Sequence, residues 1–172
     1  LLSGELDCSF TLHTDDDRFE TLTIIDDPYV LVAQRGEFPP GPVPLDRLDG
    51  LPMVVLPNTC GYDVLDQQLT AHQIAPVPVF ESGDNGTVIA MVRAGMGPAI
   101  IGLLCVDLKV DDPDLTVHEL TPSVTPRRIE LAWNAGHSLS PIARKFIDLV
   151  AEVGAETAVA EREYLHEIVA AA

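Results

Sequence analysis

The residues best placed to do chemistry stand in three short loops. Asn58-Thr-Cys-Gly61 falls between an apolar run ending at Leu56 and an amphipathic segment spanning Cys60 to His72. A loop that leaves a strand and opens a helix presents free backbone N–H groups at the positive end of the helix dipole, where a carboxylate or phosphate can be held. Thr59 could cap that helix, Cys60 would occupy its first turn, and Gly61 permits close approach; simple capping explains the same residues. Gly83-Asp-Asn-Gly86 precedes the next helical segment in the same way, with Asp84 or Asn85 as its cap. In Val92-Arg-Ala-Gly-Met-Gly-Pro-Ala-Ile-Ile-Gly102, Gly95 and Gly97 separate a helical pattern from a short apolar strand. Gly97 and Pro98 thereby mark a turn where backbone packs against backbone or against a ligand. The candidate ligand contacts are therefore Asn58, Thr59, Cys60, Gly61, Gly83, Asp84, Gly97 and Pro98.

Several function classes are disfavoured by the same chain. The Gly95-x-Gly97 pair lacks the third glycine of a dinucleotide fingerprint and follows a helix rather than a strand. No nucleophile elbow or phosphate-binding loop appears, and with 27 carboxylates in 172 residues any acidic pair is expected by chance, so no catalytic constellation is assigned. His13, His72, His118, His137 and His166 lack zinc-like spacing, and neither a metal nor a cofactor is expected. His137, in the turn after Trp133-Asn-Ala-Gly136, reads as a surface or hinge histidine. A net charge of -17 repels phosphate backbones, so this segment itself is not expected to bind DNA. No apolar run approaches the roughly 18 residues of a membrane span. Cys8, Cys60 and Cys105 are odd in number and widely spaced, which suits free thiols in the cytoplasm.

The elements that must position these loops follow from periodicity. Strands are expected at Leu6–Leu12 and across Glu20–Gln34, the latter either two strands or one with a bulge at Pro28. The cluster Glu37-Phe-Pro-Pro-Gly-Pro-Val-Pro44 reads as a linker. Beyond it, strand Met53–Leu56, helix Cys60–His72, strand Val77–Phe80, helix Asn85–Arg93 and strand Pro98–Ile101 predict βαβ crossovers and a parallel sheet. After a strand at Leu115–Leu120 and a second link at Pro122–Pro126, strand Arg128–Trp133 leads to a helix starting at Ser140-Pro-Ile. That helix is expected to bury Ile142, Phe146, Leu149, Val150 and Val153 and to end at Gly154. Two linkers around a central βαβ unit imply a chain that leaves one lobe, builds another and returns, and a ligand cleft at the crossings.

In this order the motifs resemble the effector-binding domain of LysR-type transcriptional regulators. The likeness runs from Leu2-Ser-Gly-Glu-Leu-Asp7 through Leu22–Val32, Val43-Pro-Leu-Asp-Arg-Leu48, Asn58–Leu69 and Glu81–Gly102 to Arg128-Ile-Glu-Leu-Ala-Trp133 and Ser140-Pro-Ile. It covers residues 1 to about 153. The resemblance implies an α/β, two-lobed type 2 periplasmic-binding-protein-like fold, each lobe a mixed sheet flanked by helices. Residues 1–38 and 125–172 would form lobe I with a C-terminal helix, and 43–122 lobe II. Family members carry an N-terminal winged helix-turn-helix and a first strand and helix of lobe I ahead of their Gly-x-Leu-Asp step. The start at Leu1, with no basic leader and no methionine, is expected to be an interior cut. Gly102 stands where the family commonly has proline.

The function so implied is binding of a small anionic metabolite between lobes, with assembly as a homodimer or homotetramer and DNA contact only through the N-terminal winged helix-turn-helix. Residues 155–172, with Val159, Leu165, Ile168 and Val169, are expected to form an extra helix for packing or dimerisation. Three alternatives stand beside this. One is a solute-binding protein of the same fold. Another is redox sensing through Cys60, whose thiol at a helix N-terminus would be activated but lacks a resolving cysteine on the following helix. The last is a ligand-free dimerisation module.

Overall fold

The fold is described from a computed structural model covering residues 1–12, 14–57, 61–106 and 112–170. The chain forms two compact units, Leu1–Asp27 with Arg127–Ala160, and Pro28–Pro126 with Glu161–Ala172. Strands β1 (Cys8–Leu12), β2 (Phe19–Asp27) and β10 (Arg127–Asn134) build the first unit as an antiparallel sheet of order β1-β10-β2. Of the two arrangements expected for Glu20–Gln34, two strands broken at Pro28 are found; the ladder between β2 and β10 also slips by one residue at Ile129/Glu130, with the bulge at Ile24. Leu131 is fully buried at the centre of this sheet.

The second unit is built around β3 (Tyr29–Gln34), whose residues from Tyr29 to Ala33 are all buried. Successive side chains of a strand point to opposite faces, so Tyr29 and Leu31 join one cluster with Leu48, Met53, Leu65 and Leu69. Val30 and Val32 join another with Val54, Val88, Val92 and Ile101. A strand covered on both faces is the spine of a unit. This differs from the expected division, in which residues 1–38 belong to lobe I: β3 pairs antiparallel with β7 (Ala99–Gly102) and β8 (Leu115–His118) within the second unit.

Also in this unit, β4 (Val43–Pro44) leads into a short 3-10 turn, Leu45–Leu48, and pairs parallel with β9 (Leu120–Thr121). The crossover β5 (Pro52–Val55), α1 (Tyr62–Ala71), β6 (Val77–Glu81) has the predicted parallel pairing. Helix α2 (Asn85–Arg93) matches its predicted bounds, but the strand after it, β7, runs antiparallel to β3, so the unit combines the parallel pairs β4–β9 and β5–β6 with an antiparallel sheet of order β7-β3-β8 rather than forming one parallel sheet.

Helix α3 (Pro141–Ala170) departs furthest from expectation. Gly154 does not end it. A glycine costs about 1 kcal/mol relative to alanine inside a helix, and here it allows close approach: a Cβ at Gly154 would lie 2.6 Å from Cγ2 of Ile24 and 2.8 Å from its carbonyl oxygen. The expected separate helix is thus the continuation of α3, and Tyr164 and Leu165 pack against the second unit's Val30 cluster. The burial expected for Ile142, Phe146, Leu149 and Val153 is also overturned, since all four are exposed. Small residues, Ala143 and Gly154, are buried in their place. Among the described residues no helix is long and apolar enough to cross a membrane.

Candidate functional site

In an open α/β sheet, ligands gather outside the carboxyl ends of parallel strands, where loops lead into helix N-termini. The second unit has such an edge at β5 and β6. Val55, the last residue of β5, pairs with Glu81, the last residue of β6, and the Ser82 N–H donates to the Val55 carbonyl at 3.1 Å. The loop into α1 and the loop into α2 therefore leave the sheet side by side.

The two helix starts differ chemically. Asp84 caps α2, accepting from the Thr87 N–H at 2.7 Å and from the Thr87 hydroxyl at 2.8 Å. These bonds, the hydroxyl first, hold the Asp84 carboxyl below the usual carboxylate range. The positive end of α2 is thus already faced by the protein's own carboxylate. Helix α1 begins at Gly61, in left-handed backbone with φ 91°, and no side chain among the described residues caps it. The buried Tyr29 hydroxyl fixes this corner by donating to the Gly61 carbonyl at 2.8 Å. The next residue, Tyr62, has its hydroxyl pushed up by burial and then by the carboxylates of Asp66, Glu81 and Asp63.

Gly83 has nothing within 4 Å of the position a Cβ would take, so the backbone between β6 and α2 is open above it. Asn58, Thr59 and Cys60 lie outside the described residues. Gly97 and Pro98 have another occupation. Gly97 takes φ 131°, and a Cβ there would lie 2.5 Å from the Pro52 carbonyl oxygen; Pro98 is fully buried and its carbonyl accepts from the Val54 N–H at 2.9 Å. Of the two readings of this turn, backbone against backbone accounts for it. His137 sits apart, exposed, with its N–H on the Asn134 carbonyl at 3.2 Å, beside a concavity of about 390 Å³ in the first unit.

Sequence reasoning missed Tyr29 and Tyr62. A tyrosine opening an otherwise aliphatic strand is the signal for the first, because a buried phenol needs a partner. Nothing local marks the second.

Residues 1–155 match the description LysR substrate binding domain. The chain belongs to this family. Its fold is the type 2 periplasmic-binding-protein-like fold of LysR-type regulators. Among solved structures it is similar to the Synechocystis CcmR regulatory domain in complex with 2-PG, at 20% identity and TM-score 0.77, over 89% of this chain and 76% of that one. It is also similar to the effector-binding domain of QuiR in complex with shikimate, at 17% identity and TM-score 0.75, over 91% and 75%. Against a LysR family regulator described as PA01 protein, from Pseudomonas aeruginosa, identity is 22% and TM-score 0.76 over 88% of this chain. There the chain spans about half of the regulator's length, 54%. No curated protein matches this chain by sequence.

Proposed function

We propose that this member of the LysR substrate binding domain family binds a small anionic metabolite at the edge where α1 and α2 begin. The carrying observation is the pairing of Val55 with Glu81, which sets the start of α1, where no described side chain caps the helix, beside the capped start of α2. Asp84 neutralises the start of α2, so the anion's place is the start of α1, at Gly61 with residues 58–60 ahead of it. Gly83 leaves room for the rest of the molecule. Gly97 and Pro98 hold β5 in place under that edge and act on the ligand through the scaffold. The structures in complex with 2-PG and shikimate support an organic anion as the ligand class.

The family supports a role in binding rather than catalysis: a ligand that prefers one of two arrangements of the regulator shifts their populations, and a few kcal/mol suffices. DNA contact belongs to a winged helix-turn-helix outside this chain, since -17 net charge opposes it here. Self-association of the domain and a cytoplasmic location complete the proposal.

The test is a thermal-unfolding screen against small carboxylates and phosphate esters, with organic amines as comparators. A ligand at a hundred times its Kd stabilises by about 2.7 kcal/mol, so saturable upward shifts from anions are expected. Stabilisation by amines alone, or by nothing in a broad metabolite set, would overturn the reading.

A further inference from the structure

Helix α1 is tied at both ends to chain outside its own crossover. At its start the Tyr29 hydroxyl donates to the Gly61 carbonyl at 2.8 Å. In its last turn the Gln68 side-chain amide pairs with the backbone of Thr125 much as a neighbouring strand would: Nε2 donates to the Thr125 carbonyl at 3.2 Å, and the Thr125 N–H donates to Oε1. Leu65 and Leu69, between the two ties, lie in one buried cluster with Tyr29 and Val124.

The two ties fall at matching places in the chain. Tyr29 stands two residues after Asp27, and Thr125 two residues before Arg127, with Pro28 and Pro126 in between. Asp27 and Arg127 are themselves register partners, joined by an ion pair whose carboxylate is fully buried. Gly61, Tyr29, Asp27, Arg127, Thr125 and Gln68 therefore close a circuit of directed bonds and short chain segments, with α1 as its helical side. The two crossings are unequal within that circuit. Tyr29 opens β3, and the Pro28 carbonyl accepts from the Leu103 N–H at 2.9 Å, so a sheet and a turn fix the outgoing chain. Residues 122–126 lie in no strand or helix. Pro122 and Pro126 have no N–H to donate, and among the described residues the hydrogen bonds to this segment's backbone are the two from Gln68.

We propose that this circuit couples α1 to the Asp27–Arg127 pair, and that Gln68 is the positioning residue that carries a shift of α1 to the returning chain. A ligand seated at Gly61 and a change at the crossing pair then bias one equilibrium, and the effect is reciprocal. The regulatory meaning rests on the anion seat proposed above, but the coupling is present and measurable without ligand, so the two readings fail separately.

Hydrogen exchange at backbone amides and at arginine Nε–H groups, followed by NMR in ligand-free isotope-labelled protein, tests it, with circular dichroism confirming the fold of each variant. In Gln68→Ala, exchange at the Thr125 N–H should quicken about tenfold, the loss of one hydrogen bond, and exchange at the Arg127 Nε–H should quicken with it. Arg128→Ala, at the half-exposed pair next to it, should leave both unchanged. In the reverse direction, Asp27→Asn should shift the backbone resonances of residues 61–65, and about half as far or less when Gln68→Ala is also present. Faster exchange at Thr125 with the Arg127 Nε–H unaffected would make Gln68 a local brace and overturn the proposal. So would Thr125 exchange indifferent to Gln68→Ala, or resonances at residues 61–65 that answer Asp27→Asn equally with and without Gln68.

Discussion

Asp27 and Arg127 face each other across the β2–β10 ladder at two of the points where the chain passes between its units. Asp27 is the last residue of its stretch and Arg127 the first of its own; they are register partners, and the Arg127 Nε donates to Asp27 Oδ2 at 2.5 Å. Asp27 is completely buried and the Arg127 side chain is 16% exposed, which distinguishes this pair from the half-exposed Arg128–Asp26 pair next to it. Each is flanked by proline on the far side of the crossing, Pro28 and Pro126.

Removing one partner of a buried pair strands the other's charge, so Asp27→Ala should cost about 3 kcal/mol. Arg128→Ala, at the exposed pair, should cost well under 1 kcal/mol. Urea unfolding of the two variants measures the difference; equal midpoints would mean that burial does not strengthen the crossing pair.

Gly97→Ala is expected to cost about 2–3 kcal/mol, from left-handed backbone strain together with the displaced Pro52 carbonyl. Gly83→Ala, where space is open, should leave stability nearly unchanged. Thermal denaturation of the pair decides it.

The reading of Gly97 illustrates how far the sequence carries. Two glycines between a helix and a strand announce close approach, but what approaches is Pro52, forty-five residues away in the chain, and only tertiary structure supplies it. The limits of α2 were legible because its signals are local: an Asp cap at position 84, apolar Val88 and Val92, and a turn after Arg93. The place of β3 was not, since a run of Val and Leu is equally a strand in either unit. On α3 two stripes compete, one small and one large, and periodicity cannot tell which faces the sheet. Large residues look like core; close helix approach at Ile24 needs the small ones.

Tyr29→Phe removes the hydroxyl that holds the Gly61 carbonyl. It should cost about 1 kcal/mol in stability and weaken anion binding at α1. The ligand-induced thermal shift should therefore fall by more than the loss in the unliganded protein. Equal losses with and without ligand would place Tyr29 in the scaffold alone.

Burial first, and the Asp7 carboxylate second, push the Cys8 thiol above its ordinary range. A raised pKa lowers the thiolate fraction at neutral pH, so alkylation of Cys8 should be slower than that of free cysteine at pH 7–8 and should approach it only in more alkaline solution. Residue-resolved mass spectrometry across pH reads this out; fast labelling of Cys8 at pH 7 would contradict it.

The central claim is that a small anion seats where α1 begins, beside the Asp84-capped start of α2. Titrating isotope-labelled protein with the best-stabilising carboxylate, while following backbone amides by NMR, tests it most directly. The account predicts saturable shifts concentrated at residues 61–65 and 82–87, with the exposed flank of α3 unchanged. Saturable shifts confined to the Asn134–Leu139 turn, or none at any ligand concentration, would contradict it.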